Sequence, residues 1–240
     1  MAKKGERGRC ATGIEGLDNI LGGGIPTSSV VLLAGTCGTG KTTLAFEYLI
    51  RGVLAGDSGL LITTVESPDR MLSNIPRFVF YNDSMLMKGK LTIINLQEIM
   101  DSAGLSGSDM DEAAIKKLVS AIAKLVSLHK ARRLVIDTID TILTEIKDEA
   151  LGSMLIADLS NILYRTECTA LLVTSAERAD GLEGRVADGI IMMGNLERKW
   201  VLIRTMQTIK MKGTNHSRSR YVIDLTNAGV LATPLLKGGT

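Results

Sequence analysis

Aromatic residues are scarce in this chain: Phe, Trp and Tyr supply 3% of its 240 positions. The 45% hydrophobic content must therefore come mostly from aliphatic residues and from 11 methionines, which pack as flexible gap-fillers. Cysteine is scarcer still. Cys10, Cys37 and Cys168 are far apart, odd in number and form no CxxC pair, which argues against a disulfide framework and against a zinc site. That usage leads us to expect a reducing, cytoplasmic compartment. Excess charge of one sign is also missing. The formal net charge is +2, and acids and bases interleave except in two stretches: Lys3, Lys4, Arg7 and Arg9 at the start, and Arg204 to Arg220 late in the chain. Nucleic-acid binders often concentrate a larger basic excess on one face, so nucleic acid is not expected as a partner. The first stretch reads as solvated surface. No apolar run approaches the ~18 residues that read as a bilayer span, and no apolar stretch follows the basic start. Neither a membrane span nor a secretory signal is expected.

What is present suits one α/β domain with a substantial core, expected over residues 1–240 with 1–11 as a flexible tail. Thr12 to Asp18 leads into Gly22-Gly23-Gly24-Ile25-Pro26, a sharp connection. Val30 to Ala34 is short, wholly apolar and β-branched at its start, as a strand covered on both faces requires. A helix is expected from Lys41 to about Leu54, then a second strand from Gly59 to Val65. Ser67-Pro68 reads as an N-cap with proline in the first turn. Leu91 to Asn95 is a third strand, and Asp101 to Asp111, rich in Ser, Gly and Asp, reads as a mobile surface loop. Ile115, Leu118, Val119, Ile122, Leu125 and Val126 mark a helix over about 111–128 by their spacing. Leu134 to Ile136 forms a fourth strand ending at Asp137. A helix over about 149–164 and a fifth strand, Ala170 to Thr174, follow. After Asp188 the helices stop, and Ile190 to Met193, Trp200 to Ile209 and Arg220 to Leu225 read as strands. Strands alternating with helices, then strands alone, predict a mainly parallel twisted sheet flanked by helices, with antiparallel strands at its C-terminal edge.

The strongest chemical signal is Gly35-Thr36-Cys37-Gly38-Thr39-Gly40-Lys41-Thr42, a G-x-x-x-x-G-K-[ST] P-loop with an apolar strand before it and a helix after it. Backbone amides of Thr36 to Thr43 can wrap a polyphosphate, aided by the partial positive charge of the helix N-terminus. Lys41 can reach the terminal phosphates and the Thr42 hydroxyl can ligate Mg²⁺. ATP and Mg²⁺ are the expected cofactors. The loop needs the backbone of Cys37, not its sulfur. Asp137, at the end of its strand, is placed to hold a Mg²⁺-bound water; the alternative is a cap on the next helix. Glu66, after the second strand, can orient the attacking water, or else stabilise the helix beginning near Pro68. Ser175 can sense the terminal phosphate or serve as a simple cap. Lys210 and Lys212 alternate onto one face of a strand, Gly213 turns the chain and His216 follows. Such a tip can deliver positive charge to a neighbour's phosphate, but spacing alone favours an ordinary edge strand guarded by lysines.

Together these segments resemble the KaiC-like branch of the RecA-type ATPases. The segments that carry the resemblance are Thr12-Gly13-Ile14-Glu15-Gly16-Leu17-Asp18 with the triple glycine, the P-loop, Val65-Glu66-Ser67-Pro68, Leu134-Val135-Ile136-Asp137, Val186-Ala187-Asp188-Gly189 and Lys210-Met211-Lys212-Gly213-Thr214-Asn215-His216. The resemblance implies a RecA-like core in a homo-oligomeric ring, usually a hexamer, with ATP between subunits. It also implies that Lys210, Lys212 and His216 reach the neighbour's nucleotide. Two departures bear on rate. The family commonly has paired glutamates where this chain has Val65-Glu66, and Lys-x-Arg where it has Lys210-Met211-Lys212. Lysine lacks the bidentate fork of arginine. Slow turnover is therefore expected. At the position of the Ser-Thr pair phosphorylated in the family's clock protein stand Gly184 and Arg185, so autokinase activity is not expected. The leading reading is a slow regulatory or signalling ATPase, with an unidentified signalling protein as a possible partner. A nucleotide-gated scaffold is the alternative, and a DNA recombinase or helicase ranks last.

Overall fold

The computed structural model describes residues 8–74, 79–175 and 181–235. A nine-stranded sheet forms the centre of the molecule. In chain order its strands are β3 (Val30–Gly35), β4 (Gly59–Thr63), β5 (Leu91–Asn95), β6 (Arg133–Asp137), β7 (Thr169–Thr174), β8 (Gly189–Arg198), β9 (Val201–Met211), β10 (Arg220–Thr226) and β11 (Gly229–Pro234). Across the sheet they run β11-β10-β9-β8-β3-β7-β6-β4-β5. The six from β8 to β5 are parallel, and β9, β10 and β11 follow β8, each antiparallel to the strand before it. The parallel sheet with an antiparallel C-terminal edge is the architecture that the sequence pattern predicts.

All six residues of β3 are buried, because helices cover both faces of the sheet. Side chains alternate between those faces. Val30, Leu32 and Ala34 pack under α6 (Glu112–Leu128) and α8 (Glu149–Arg165). Val31 and Leu33 pack against α2 (Lys41–Leu54), which presents Leu44, Ala45, Tyr48 and Leu49. Caps set the starts of the two long helices: Asp111 accepts from the Ala114 amide and Asp148 from that of Ala150. Leu32 and Leu33 are each at most 1% exposed, so truncating either to Ala should cost about 2–5 kcal/mol.

Three local readings change and one element is added. The second strand stops at Thr63 rather than Val65; Val65 is 75% exposed in a turn, so Glu66 lies three residues beyond the strand. The 101–111 segment is not a free loop. α5 (Leu96–Ser102) extends into it, and Leu105 and Met110 are buried against the core. A short helix, α7 (Asp140–Glu145), follows β6. Of the expected tail, residues 1–7 lie outside the described residues, while Arg9–Cys10 forms β1, paired with β2 (Ile25–Pro26). The Arg9 guanidinium donates to the Thr214 hydroxyl and the Gly213 carbonyl, pinning the chain start to the turn after β9. Asp18 closes the opening motif by accepting from the Thr12 amide and hydroxyl and from the Gly13 amide.

Candidate functional site

β3 delivers the glycine-rich loop to the carboxyl end of the parallel strands, and the loop feeds straight into α2. Gly35 is required by contact and Gly40 by its backbone conformation. A Cβ at Gly35 would lie 2.2 Å from the Met193 carbonyl oxygen of β8; at Gly40, where φ is 95°, it would press on Leu225 of β10 at 3.0 Å. The turn can be this tight only without side chains there. Thr39 is buried and its hydroxyl donates to the Thr36 carbonyl, bracing the loop from within. Thr36, Cys37, Gly38 and Thr42 are exposed, while Gly40, Lys41 and Thr43 are half-buried. Cys37 is a free thiol.

The Lys41 ammonium lies across the loop, donating to the carbonyls of Gly35 at 2.7 Å and Thr36 at 2.9 Å. Burial lowers its pKa, against the pull of Cys37, Asp137 and Asp140. β6 ends at Asp137, whose carboxylate hydrogen-bonds Thr42. Burial raises the Asp137 pKa, and the charges of Glu66 and Asp140 add to the rise, while Thr42 and Lys41 oppose it. The two residues that can ligate Mg²⁺ therefore already touch, and the buried carboxylate is one that a dication would favour ionised. Glu66 is near enough to bear on Asp137, and its backbone carbonyl accepts from the Asn95 side chain. Ser175 follows β7, and its amide donates to Asp140 at 2.8 Å. The strand ends thus gather Lys41, Thr42, Glu66, Asp137 and Ser175 at one end of the sheet.

Lys210, Lys212 and His216 are elsewhere. Met211 pairs with Gly189, and Gly189 with Val31, at the amino end of the parallel strands. The Lys212 amide bonds the Asp188 carbonyl and the Asp188 amide bonds Val30. From Val30 to Gly35 the rise is about 16 Å at ~3.3 Å per residue. The Lys210 ammonium donates to the carbonyls of Gly184, Arg185 and Ala187, and burial lowers its pKa. Lys212 bonds the Val186 carbonyl and pairs with Asp188 at 3.2 Å. The His216 Nδ1 lies 3.4 Å from the Thr214 carbonyl oxygen, and its Nε2 is buried with no hydrogen-bond partner among the described residues. These three residues cannot serve the P-loop of their own chain.

Sequence reasoning missed two residues. Asp140 bridges the exits of β6 and β7; its one signal is a second acid three residues after Asp137. Arg204 of β9 donates to the Gly38 carbonyl at 3.2 Å, and its only signal is membership of the late basic stretch.

The family described as "ATPase: KaiC" matches residues 10–237. A UPF0273 protein of Pyrococcus horikoshii is 31% identical over 96% of this chain and 97% of its own length. The circadian clock oscillator protein KaiC of Parathermosynechococcus lividus is 28% identical over 93% of this chain, which spans 42% of that relative. Among solved structures, a KaiC-like protein from Pyrococcus horikoshii OT3 matches with a TM-score of 0.79 at 26% identity, covering 95% of this chain and 100% of that one. A phosphate loop at the head of α2, an acid at the end of β6 and a match that runs almost from end to end lead to one conclusion: the chain belongs to the KaiC family of ATPases.

Proposed function

We propose that this protein is a single-domain ATPase that turns over slowly at the subunit interfaces of a homo-oligomeric ring, a hexamer by family likeness, in a regulatory or signalling role. Thr36 to Thr43 hold the phosphates, with Lys41 across them. Thr42 and Asp137 would hold Mg²⁺, which would offset the charge of the phosphates. Glu66 orients the attacking water and Ser175 contacts the terminal phosphate. Lys210, Lys212 and His216 act on the next subunit's nucleotide.

One observation carries the reading. The phosphate loop and the Lys210–His216 segment lie at opposite ends of β3, so a complete site needs two copies joined head to tail. A heterologous contact of that kind closes into a ring when its rotation permits. The β8–β9 hairpin supports self-association too. Its tip exposes Trp200 at 95%, Val201 at 59% and Leu202 at 66%, an apolar group that a monomer leaves in water. With Val65 in place of a second glutamate and lysine in place of arginine, turnover should fall below the ~1–100 s⁻¹ of a typical kinase.

Light scattering and phosphate release, measured together with ATP·Mg and with ADP, test the proposal. ATP-dependent assembly accompanied by slow phosphate release is the expected result. Full turnover by a monomer would refute it. Assembly with no release would favour the scaffold reading, to which the missing second glutamate at Val65 points.

A further inference from the structure

Five residues, Asp137 to Thr141, span the junction of β6 and α7 and hold three strand exits together. On one side, the Thr64 amide donates to the Asp137 carbonyl and the Thr138 amide donates to the Thr64 hydroxyl at 2.8 Å. That hydroxyl also bonds the Thr138 carbonyl and the Thr141 hydroxyl. Thr64 sits two residues before Glu66. On the other side, the Ile139 amide and the Thr138 hydroxyl both donate to the Val173 carbonyl. Asp140 completes the join. One carboxylate oxygen accepts from the buried Thr174 hydroxyl at 2.6 Å and the other from the Ser175 amide at 2.8 Å. Both oxygens of Asp140 are thus committed to the exit of β7, three residues from the acid that meets Thr42.

We propose that Asp140 is a positioning residue: by gripping the Thr174 hydroxyl and the Ser175 amide, it aims the Ser175 hydroxyl at the terminal phosphate of ATP and so lets the site tell ATP from ADP. This rests on the reading of Ser175 as the phosphate contact. A carboxylate suits the task because both of its partners donate. Asparagine can keep both bonds, accepting from the Ser175 amide while donating to the Thr174 oxygen; alanine keeps neither.

The test is the ratio of ADP to ATP dissociation constants, measured by calorimetry with Mg²⁺ on the full chain, so that no turnover is needed. Ser175→Ala should lower the ratio about tenfold or more, the worth of a hydrogen bond to a charged group. Asp140→Ala should lower it by a similar factor with ADP affinity unchanged, and Asp140→Asn should restore most of it. In the Ser175→Ala background, Asp140→Ala should add nothing, because no hydroxyl is left to aim. Three results would overturn the proposal: equal losses for ATP and ADP, multiplying effects in the double variant, or Asp140→Asn as poor as Asp140→Ala, which would make the charge rather than the grip the source. A ratio unmoved by Ser175→Ala instead defeats the reading of Ser175, and with it the route proposed for Asp140. Should Asp140→Ala not fold, Thr174→Val removes one of the two bonds and spares the carboxylate. A fall in the same ratio is then expected, and an unchanged ratio overturns the proposal.

Discussion

At the carboxyl end of the parallel strands, Lys41 shares its surroundings with Asp137 and Asp140, and Glu66 bears on Asp137. At the amino end the balance reverses: two ammonium groups, Lys210 and Lys212, lie on the carbonyls of 184–187 and on the single carboxylate of Asp188. The first region is rich in acids and fixed amides, as a site for Mg²⁺ and phosphate should be. Under the proposed function, the second region brings cations to the phosphate of a neighbouring copy. Under that reading neither region is complete by itself, and a lysine stem cannot cross the length of β3 that separates them. The split suggests that chemistry here depends on contact between copies. Breaking each end separately should therefore give different losses.

The largest effect is expected at the first end. Lys41→Ala should weaken ATP binding in the isolated subunit and lower turnover about 100- to 1000-fold, the cost of removing one preorganised charge donor. Lys212→Ala should leave binding to the isolated subunit intact. If Lys212→Ala weakens that binding as Lys41→Ala does, the two ends are not separate and the comparison collapses. Glu66→Gln should come next, lowering turnover about 100-fold with ATP affinity unchanged, as expected of a group that acts on water alone. A smaller effect tests sharing between copies. Mixing Lys41→Ala with Lys212→Ala subunits should restore part of the turnover, because some interfaces then pair an intact phosphate loop with an intact Lys212. Intact rings with no recovery would place Lys212 outside the chemistry.

Much of the first end was legible because its information is local. The P-loop occupies eight consecutive residues, and the apolar run of β3 declares a buried central strand. Asp137 was legible as the last residue of such a run. Glu66 lies farther from the strand than the apolar Val65 implies, because strand pairing ends level with Thr63. Asp140 went unseen because its meaning lies in Thr174 and Ser175, 34 and 35 residues away, and no local pattern announces a long-range bond. The 101–111 stretch looked loose by composition, yet two apolar side chains, Leu105 and Met110, anchor it. For the second end, the resemblance alone gives Lys210, Lys212 and His216 a role. Alternation places Lys210 and Lys212 on one face of a strand, but only the register of β9 against β8 shows how far that face lies from the phosphate loop.

The smallest effect is a pH dependence that belongs to the first end alone. Burial raises the Asp137 pKa, so on acidification this carboxylate takes up a proton earlier than an exposed aspartate would, and a protonated acid is a poor Mg²⁺ ligand. Burial lowers the Lys41 pKa, so on alkalinisation its charge is lost earlier than that of an exposed lysine. ATP·Mg affinity should therefore fall on both sides of neutrality. Asp137→Asn should flatten the acid limb, to the extent that Asp137 carries it, and leave the alkaline limb in place. The same shift bears on stability. An acid whose folded pKa lies above its unfolded value favours folding when protonated, and that contribution is lost as pH rises from the unfolded to the folded pKa. Above its folded pKa, the buried charge of Asp137 therefore opposes folding, offset in part by Thr42 and Lys41. Asp137→Asn should raise Tm modestly there while abolishing the Mg²⁺-dependent gain in ATP affinity. A Tm that falls instead would mean that the hydrogen bond to Thr42 outweighs the buried charge.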